Sequence, residues 1–191
     1  LVHRMHLLHY MKFVPLKILG AYEIDVDPIE DKRGFLARTF CEREFEKAQL
    51  ISEWVQMNIS FTARSGSLRG IHFQLYPHQE AKLIRAVHGK VFDVIVDLRP
   101  QSDTYGQHEV VFLEDQKYNS VYIPPGCGHG FQTLTDNVVM HYCHSSEYTP
   151  KSESGINALD PKLAIEWPLT VQNLSERDTN LPSLSELNNN D

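Results

Sequence analysis

A histidine and a lysine lie on two neighbouring strand-like segments, in positions where both could face one cavity. In Leu68–Gln74, strand alternation places His72 on the same face as Leu68, Gly70 and Gln74. On the next segment, Lys82 shares a face with Ile84 and Ala86. A lysine among apolar neighbours is costly to bury alone, but in a ligand cavity it could stabilise an anion or a developing oxyanion. The alternative is a lysine near a strand end that reaches solvent, and spacing alone favours that alternative by a small margin.

Two further segments carry groups that could move or hold a proton. In Val138–His144, Tyr142 shares a face with Val138 and Met140, which is typical of a core tyrosine whose hydroxyl is satisfied. The same hydroxyl could instead face a cavity and donate a proton. The spacing of Ser175 and Asp178 is that of a capping box at a helix start. Asp178 could alternatively accept a hydrogen bond from a histidine and hold its tautomer.

A metal site is a separate hypothesis. The spacing Pro124-x-Gly126-x-x-His129 resembles the second motif of cupins, a tight turn followed by a histidine aimed into a barrel. The ligands would then be the four residues His72, Gln74, Glu80 and His129. This set is poor in imidazole for a transition metal, so the sequence disfavours metal binding without excluding it.

Charge and cysteine content narrow the classes of function. The 191 residues include 18 Lys and Arg against 25 Asp and Glu, a net charge of −7. An acidic chain is unsuited to nucleic acid or to an anionic membrane surface, and no apolar run is long enough to span a bilayer. Three scattered cysteines form neither a disulfide framework nor a CxxC pair, so we expect a cytoplasmic protein.

The hydrophobic period of most of the chain is two, which predicts an all-β fold. Leu83–Val87 and Val91–Leu98 flank a Gly89 turn and predict a hairpin. Many short strands between turn signals favour an antiparallel sandwich or small barrel of the jelly-roll type. Short helices are expected at Cys41–Leu50 and Leu159–Ile165. We expect an N-terminal extension (1–10), one domain (11–182) and a loosely ordered C-terminal tail (183–191). The other predicted strands are Tyr22–Val26, Gly34–Thr39, Gln56–Phe61, Ser67–Gln74, Glu109–Leu113, Ser120–Ile123, Gln132–Leu134 and Val138–His144.

Taken in order, these segments resemble the dTDP-4-dehydrorhamnose 3,5-epimerase family of cupins, from about Lys17 to Pro182. The resemblance implies a cupin jelly-roll barrel that forms a homodimer and uses no metal or cofactor. It also implies a nucleotide-diphosphate sugar substrate whose sugar is a 4-keto-6-deoxy hexose. The motifs that carry the resemblance are Asp31–Phe35, Gln56–Asn58, Leu68–Gln74, Gln79–Leu83, Gly89–Val94, Asp97–Arg99, Ser102–Gly106, Pro124–Phe131, Ile165–Pro168 and Leu174–Asp178.

The family implies a role for each reactive residue. By position, His72 looks like the base that removes a proton from C3 or C5, and Asp178 looks like its dyad partner. Lys82 would stabilise the enolate oxygen, and Tyr142 would return a proton to the opposite face. Tyr148 would stack on the nucleotide base, and arginines would bind the pyrophosphate. The other implied substrate contacts are Arg33, Gln56, Asn58, Arg69, His129, Glu153 and Arg177.

One position departs from the family pattern. Family members often carry a glutamate that meets the nucleotide base where this chain has Arg38. This charge reversal leaves open a single-site epimerase, acting at C3 or C5 alone on a different nucleotide sugar. Two other hypotheses remain beside the epimerase: the metal-dependent cupin, and a non-catalytic protein that binds a sugar nucleotide.

Overall fold

The computed structural model describes residues 11–187, in which antiparallel β-strands predominate. Three short helices accompany them: α1 (Glu42–Lys47), α2 (Glu176–Thr179) and α3 (Leu184–Leu187). Within these residues the strands are β1 (Lys12–Pro15), β2 (Tyr22–Asp25), β3 (Ile29–Asp31), β4 (Gly34–Leu36), β5 (Gln56–Thr62), β6 (Leu68–Gln74), β7 (Lys82–His88), β8 (Lys90–Asp97), β9 (His108–Glu114), β10 (Ser120–Ile123), β11 (Cys127–Thr133), β12 (Val138–His144) and β13 (Glu153–Gly155).

Two sheets form a sandwich. One has the strand order β1-β2-β10-β7-β12-β5, and the other has the order β13-β6-β11-β8-β9. The core between them takes Ile84 and Met140 from the first sheet, and Ile95 and Phe131 from the second. Apolar side chains from the facing sides of both sheets therefore interdigitate, as the period-two pattern requires. This architecture confirms the predicted all-β jelly roll with a few short helices.

The predicted hairpin around Gly89 is wrong. Strands β7 and β8 do follow each other across Gly89, but β7 pairs with β10 and β12, whereas β8 pairs with β9 and β11. The chain crosses from one sheet to the other at this point, so that both strands direct apolar side chains into the shared core. Gly89 has a φ of +82°, and a Cβ there would lie 2.6 Å from Oγ1 of Thr135. The turn therefore needs glycine.

The outer face of each sheet is also covered. Phe45 of α1 is buried against the outer side of the six-stranded sheet. The C-terminal segment covers the five-stranded sheet, where Leu68, Ile71 and Phe73 of β6 pack with Ile156. Strand β6 is therefore buried on its outer side by apolar residues, while its other side faces the cavity described below.

The prediction that Leu68 shares a face of β6 with His72 is wrong, because the alternation of side chains along β6 is interrupted. Between the pairs His129–His72 and Phe131–Arg69, β6 has one residue more than β11, so that Arg69 joins His72 on the cavity side. Leu68 packs in the outer core instead. An irregularity of one residue reverses which side chains face a given side, and no sequence period reveals it.

The ends of the domain differ in part from the sequence prediction. Residues 1–10 and 188–191 lie outside the described residues. Residues 183–187 are not loose: α3 begins after Ser183, Leu184 is buried in the outer core, and its N–H donates to Oδ2 of Asp160 at 2.7 Å. Leu159–Ile165 forms turns rather than the predicted helix. Among the helices of residues 11–187, none has the length and apolar character needed to cross a membrane.

Candidate active site

A cavity of about 1110 Å³ is lined by strands of both sheets and by the segment around α2. Strands β5, β7 and β12 contribute from one sheet, and β6 and β11 from the other. His72, Lys82, Tyr142 and Asp178, which the sequence singled out separately, all line this one cavity.

His72 and Asp178 form a hydrogen-bonded pair. Nε2 of His72 lies 2.7 Å from Oδ1 of Asp178, and the backbone N–H of Gly70 donates to the other carboxylate oxygen at 3.3 Å. Ser175 caps α2 by accepting the N–H of Asp178, which confirms the predicted helix start and holds the aspartate in place, while the Asp178 carboxylate bonds to His72 and Gly70. Burial opposes ionisation of Asp178, but the hydrogen bonds from His72 and Gly70 outweigh it, and the pKa of the carboxyl falls below its usual range. An ionised Asp178 leaves the other ring nitrogen of His72 free to accept a proton.

Lys82 is buried, so the alternative that it reaches solvent is wrong. Its side chain is 8% exposed, its Nζ donates to the backbone carbonyl of His72 at 3.2 Å, and Oε1 of Glu80 lies 3.3 Å away. Glu80 is equally buried. Burial raises the pKa of Glu80, but hydrogen bonding to His144 and the charge of Lys82 outweigh it, so the net pKa is lowered. The cation is thus held by its own counter-ion beside the His72 backbone.

The Tyr142 hydroxyl faces the cavity and lies 3.1 Å from Oγ of Ser60. Burial raises the pKa of this phenol to about 12, against the hydrogen bond to Ser60, which lowers it. The ring packs edge-on to His129 and is stacked on His144, with centroids 6.3 Å and 6.1 Å apart. At neutral pH the tyrosine therefore carries its proton, as a proton donor must.

A second histidine–aspartate pair lies deeper in the cavity wall. Nε2 of His129 is 2.7 Å from Oδ2 of Asp93, and the aspartate is fully buried. Burial raises the pKa of Asp93 despite the opposing effect of His129. The other carboxylate oxygen, Oδ1, has no hydrogen-bond partner within the described residues.

Three other predicted substrate contacts cluster around Tyr148. Its hydroxyl donates to Glu153, which also pairs with Arg177 at 2.9 Å, and its backbone N–H donates to Oε1 of Gln56 at 3.0 Å. Tyr148 is half exposed, so its ring is free to contact a planar ligand. Polar and charged groups here surround a cavity large enough for a nucleotide sugar.

The sequence of this chain is similar to proteins of a known family. The family described as dTDP-4-dehydrorhamnose 3,5-epimerase matches residues 15–186. The chain belongs to this epimerase family. A dTDP-4-dehydrorhamnose 3,5-epimerase from Methanothermobacter thermautotrophicus is 39% identical over 178 residues, which cover 92% of this chain and 95% of that protein.

Solved structures agree with this assignment. The chain resembles NovW, a 4-keto-6-deoxy sugar epimerase from Streptomyces spheroides, with a TM-score of 0.91 and 38% identity, covering 95% of this chain and 91% of that one. It also resembles ChmJ, a 3'-monoepimerase from Streptomyces bikiniensis solved in complex with dTDP-quinovose. There the TM-score is 0.86 and the identity 36%, covering 92% and 89% of the two chains. The predictions of family, cupin-type fold and carbohydrate epimerase are thus confirmed.

In this family member, Arg69 and Asn58 line the cavity as predicted, but two other arginines do not. Arg33 lies on the exposed β3–β4 hairpin and pairs with Asp31. Arg38 pairs with Glu44 of α1 at 2.8 Å and does not line the cavity. Arg33, which the resemblance implied as a substrate contact, therefore does not line the cavity of its own protomer, because its hairpin folds outside the two sheets that enclose the cavity. Arg38, the position of the charge reversal, does not line it either.

The four residues of the metal hypothesis do not converge on one point. Nε2 of His72 and Nε2 of His129 each face their own aspartate. Nε2 of Gln74 donates to the carbonyl oxygens of His78 and Glu147, at 3.0 Å and 3.2 Å. Across residues 11–187, no three His, Cys, Asp or Glu side chains are placed to hold one metal ion. The arrangement gives the metal-dependent alternative no support.

Sequence reasoning missed two cavity residues, Ser60 and His144, and the aspartate that pairs with His129. Ser60 carries no signal beyond its strand, but His144 has the same parity as Tyr142 and could have been found from that. Asp93 shares its parity with Val91 and Ile95, so it was recognisable as a carboxylate on an apolar strand face. A buried charge of that kind needs a partner, which His129 provides.

Proposed function

We propose that the protein inverts C3, C5 or both in a dTDP-linked 4-keto-6-deoxy sugar by proton removal and return through an enolate. One observation carries the proposal. A histidine–carboxylate pair, a buried lysine and a protonated tyrosine line the same cavity. They are the base, the oxyanion stabiliser and the acid that such a reaction needs.

Each group has a defined task. The 4-keto group acidifies the hydrogens on C3 and C5, and the free nitrogen of His72 removes one of them. The electron pair moves to O4, where the Lys82 ammonium stabilises the negative charge. Asp178 stabilises the imidazolium that forms. Tyr142 then donates its proton to the opposite face of the carbon, which inverts the centre, and solvent restores both groups.

The nucleotide part of the substrate is proposed from the cavity and from the relatives. Arg69 and Arg177 place two guanidinium groups on the cavity lining, where they can bind pyrophosphate oxygens. His129 and Gln56 offer further polar contacts, and Tyr148 offers a ring for the base. The structure of the ChmJ relative contains dTDP-quinovose, and that of a Bacillus anthracis relative contains TDP and PPi. These ligands support a dTDP-sugar as substrate here.

The number of inverted centres separates two versions of the proposal. The Methanothermobacter relative is named a 3,5-epimerase, and a Streptomyces niveus relative, 41% identical over 177 residues, is named a 3-epimerase. The full proton-transfer set of this chain serves either outcome, because one base and one acid can act on each carbon in turn.

The decisive experiment follows the sugar protons by NMR while the protein acts on dTDP-4-dehydro-6-deoxyglucose in deuterated water. We expect deuterium to replace the hydrogen at C3, C5 or both, with inverted product. Exchange at a single carbon selects the single-site epimerase. Absence of exchange at both carbons would overturn the dTDP-sugar proposal. Tight binding without exchange would favour the non-catalytic hypothesis.

We further propose that the protein is a homodimer. Met57, Ile59 and Phe61 form an apolar stripe on one side of β5, with exposures of 60%, 71% and 59%, and β5 is an edge strand of its sheet. Light scattering should give twice the chain mass, and Ile59→Asp should give the monomer. A wild-type monomer at micromolar concentration would refute this.

The three cysteines, Cys41, Cys127 and Cys143, are unpaired. Burial raises the pKa of the Cys127 thiol to about 12, so it is chemically inert. Free thiols of this kind support the proposed cytoplasmic location, where the thiol pool is reduced.

A further inference from the structure

A chain of hydrogen bonds runs along one wall of the cavity. One of its ends is a group that can only donate a hydrogen bond, and the other is a group that only accepts. It begins at the backbone N–H of Tyr148, which donates to Oε1 of Gln56 at 3.0 Å. Nε2 of Gln56 lies 3.4 Å from Oδ1 of Asn58, and Nδ2 of Asn58 lies 3.4 Å from Nε2 of His144. Nδ1 of His144 lies 3.0 Å from Oε2 of Glu80, where the chain ends.

The two ends determine the direction of every bond between them. A backbone N–H can only donate, so Gln56 must present its carbonyl oxygen to Tyr148 and its NH2 to Asn58. Asn58 must then accept through Oδ1 and donate through Nδ2. At the other end, hydrogen bonding and the charge of Lys82 keep Glu80 ionised against the effect of burial, and a carboxylate only accepts. His144 is therefore left to donate through Nδ1 and accept through Nε2.

We propose that this hydrogen-bond chain holds His144 as the neutral Nδ1–H tautomer and thereby fixes the orientation of the side-chain amides of Gln56 and Asn58 for substrate binding. In that arrangement each amide keeps one N–H that is not used within the chain, on side chains that line the cavity. His144 and Glu80 are then positioning residues, acting through two substrate contacts. The substrate part of this inference rests on the proposed function, but the tautomer part does not.

Protonation of His144 would break the chain. An imidazolium has no acceptor, so its Nε2–H would oppose the NH2 of Asn58, and Asn58 could relieve this only by turning its own NH2 towards that of Gln56. Gln56 cannot turn in response, because the Tyr148 N–H is fixed. The charged or titratable groups that face the His144 ring are Glu80, Lys82 from β7 and Tyr142 from its own strand. Glu80 attracts an imidazolium, but its other oxygen is already paired with Lys82.

The tautomer is tested directly on the free enzyme. Protein labelled with 15N-histidine is recorded by long-range proton–nitrogen NMR at pH 7.5, and the His144 ring is assigned as the signal that His144→Gln removes. We expect a protonated Nδ1 and an unprotonated Nε2. An imidazolium, or an Nε2–H tautomer, would overturn the proposal. If His144→Gln does not fold, Asn58→Ser provides the assignment, because it removes the donor to Nε2 and shifts only that ring.

The effect on substrate binding is tested by the kinetics of His144→Gln. The matched control is His88→Gln, because His88 is exposed, pairs with Asp115 and does not line the cavity. Loss of one ordered neutral hydrogen bond should raise KM about 3- to 10-fold and change kcat less than about 2-fold. An unchanged KM in His144→Gln would overturn the positioning role. A wild type without solvent exchange would instead refute the proposed function and leave the tautomer result standing.

Discussion

Nε2 of His72 lies 2.7 Å from Oδ1 of Asp178, although 106 positions separate the two residues in the sequence. The aspartate is delivered by the four-residue helix α2, which packs against β6, and its carboxylate also accepts the N–H of Gly70. A Cβ at Gly70 would lie 2.5 Å from Cα of Gly130, so glycine lets β6 approach β11 closely at this point. Backbone packing and capping thus place a carboxylate behind the proposed base.

The first prediction concerns this pair. Asp178→Asn should lower the rate of substrate deuterium exchange by about 10²- to 10⁴-fold, because an amide neither stabilises the imidazolium nor fixes the tautomer. Glu176→Gln, on an exposed position of the same helix, is the control. A rate within threefold of wild type would contradict the dyad.

The second prediction concerns Lys82. Lys82→Met should lower kcat by about 10²- to 10³-fold with little change in KM, because the cation meets charge that develops only in the transition state. Lys117→Met, at an exposed lysine paired with Glu114, should leave kcat unchanged. The double variant Glu80→Gln/Lys82→Met separates lost catalysis from the cost of an unpaired buried carboxylate. Recovery of kcat in the double variant would show that Lys82 acts only as a counter-ion.

The third prediction separates proton removal from proton return. Tyr142→Phe keeps the ring between His129 and His144 but removes the hydroxyl bonded to Ser60. We expect deuterium exchange to continue, since His72 can return a proton to the face it came from. Formation of the inverted product should fall by about 10²- to 10³-fold. NMR of the product in deuterated water measures both, and an equal loss of exchange and inversion would contradict the assignment of Tyr142 as the acid.

Local sequence pattern was sufficient for the site residues that lie on regular strands. Parity placed Tyr142 beside Met140 and Lys82 beside Ile84, and in the structure Tyr142, Met140 and Ile84 pack in the main core while Lys82 lines the cavity. The same alternation would have identified His144. The roles themselves came from the family resemblance, because spacing alone left each residue with a structural alternative.

What the sequence did not predict depends on contacts between distant segments. Strands β7 and β8 are adjacent in sequence but belong to different sheets, because each is buried by partners elsewhere in the chain. The face of Leu68 depends on one extra residue in β6 opposite β11, at a point that only Gly70 marks in the sequence. Arg33 matches a family motif, yet its hairpin lies outside the cavity of its own protomer. Long-range pairing decides such features, and a one-dimensional pattern does not encode it.

The last prediction concerns stability and pH at Asp97, which lies outside the cavity. Its fully buried carboxylate accepts hydrogen bonds from Arg99, Ser102 and Thr104, and holds the turn that follows β8. Burial opposes ionisation, but these bonds prevail and keep the pKa of Asp97 far below its usual range. Because the folded pKa lies below the unfolded one, the stabilisation is complete above about pH 4 and is lost as pH falls towards the folded value.

Asp97→Asn should therefore lower the free energy of unfolding by about 3 kcal/mol at pH 7, as expected when one partner of a buried pair loses its charge. The difference from wild type should shrink steadily below pH 4, because protonation removes the same charge from the wild-type protein. Urea denaturation at several pH values between 3 and 7 measures this difference in the free energy of unfolding. The control is Asp103→Asn, at an exposed position of the same turn. A difference that stays constant across this range would mean that Asp97 stabilises the turn by shape rather than by charge.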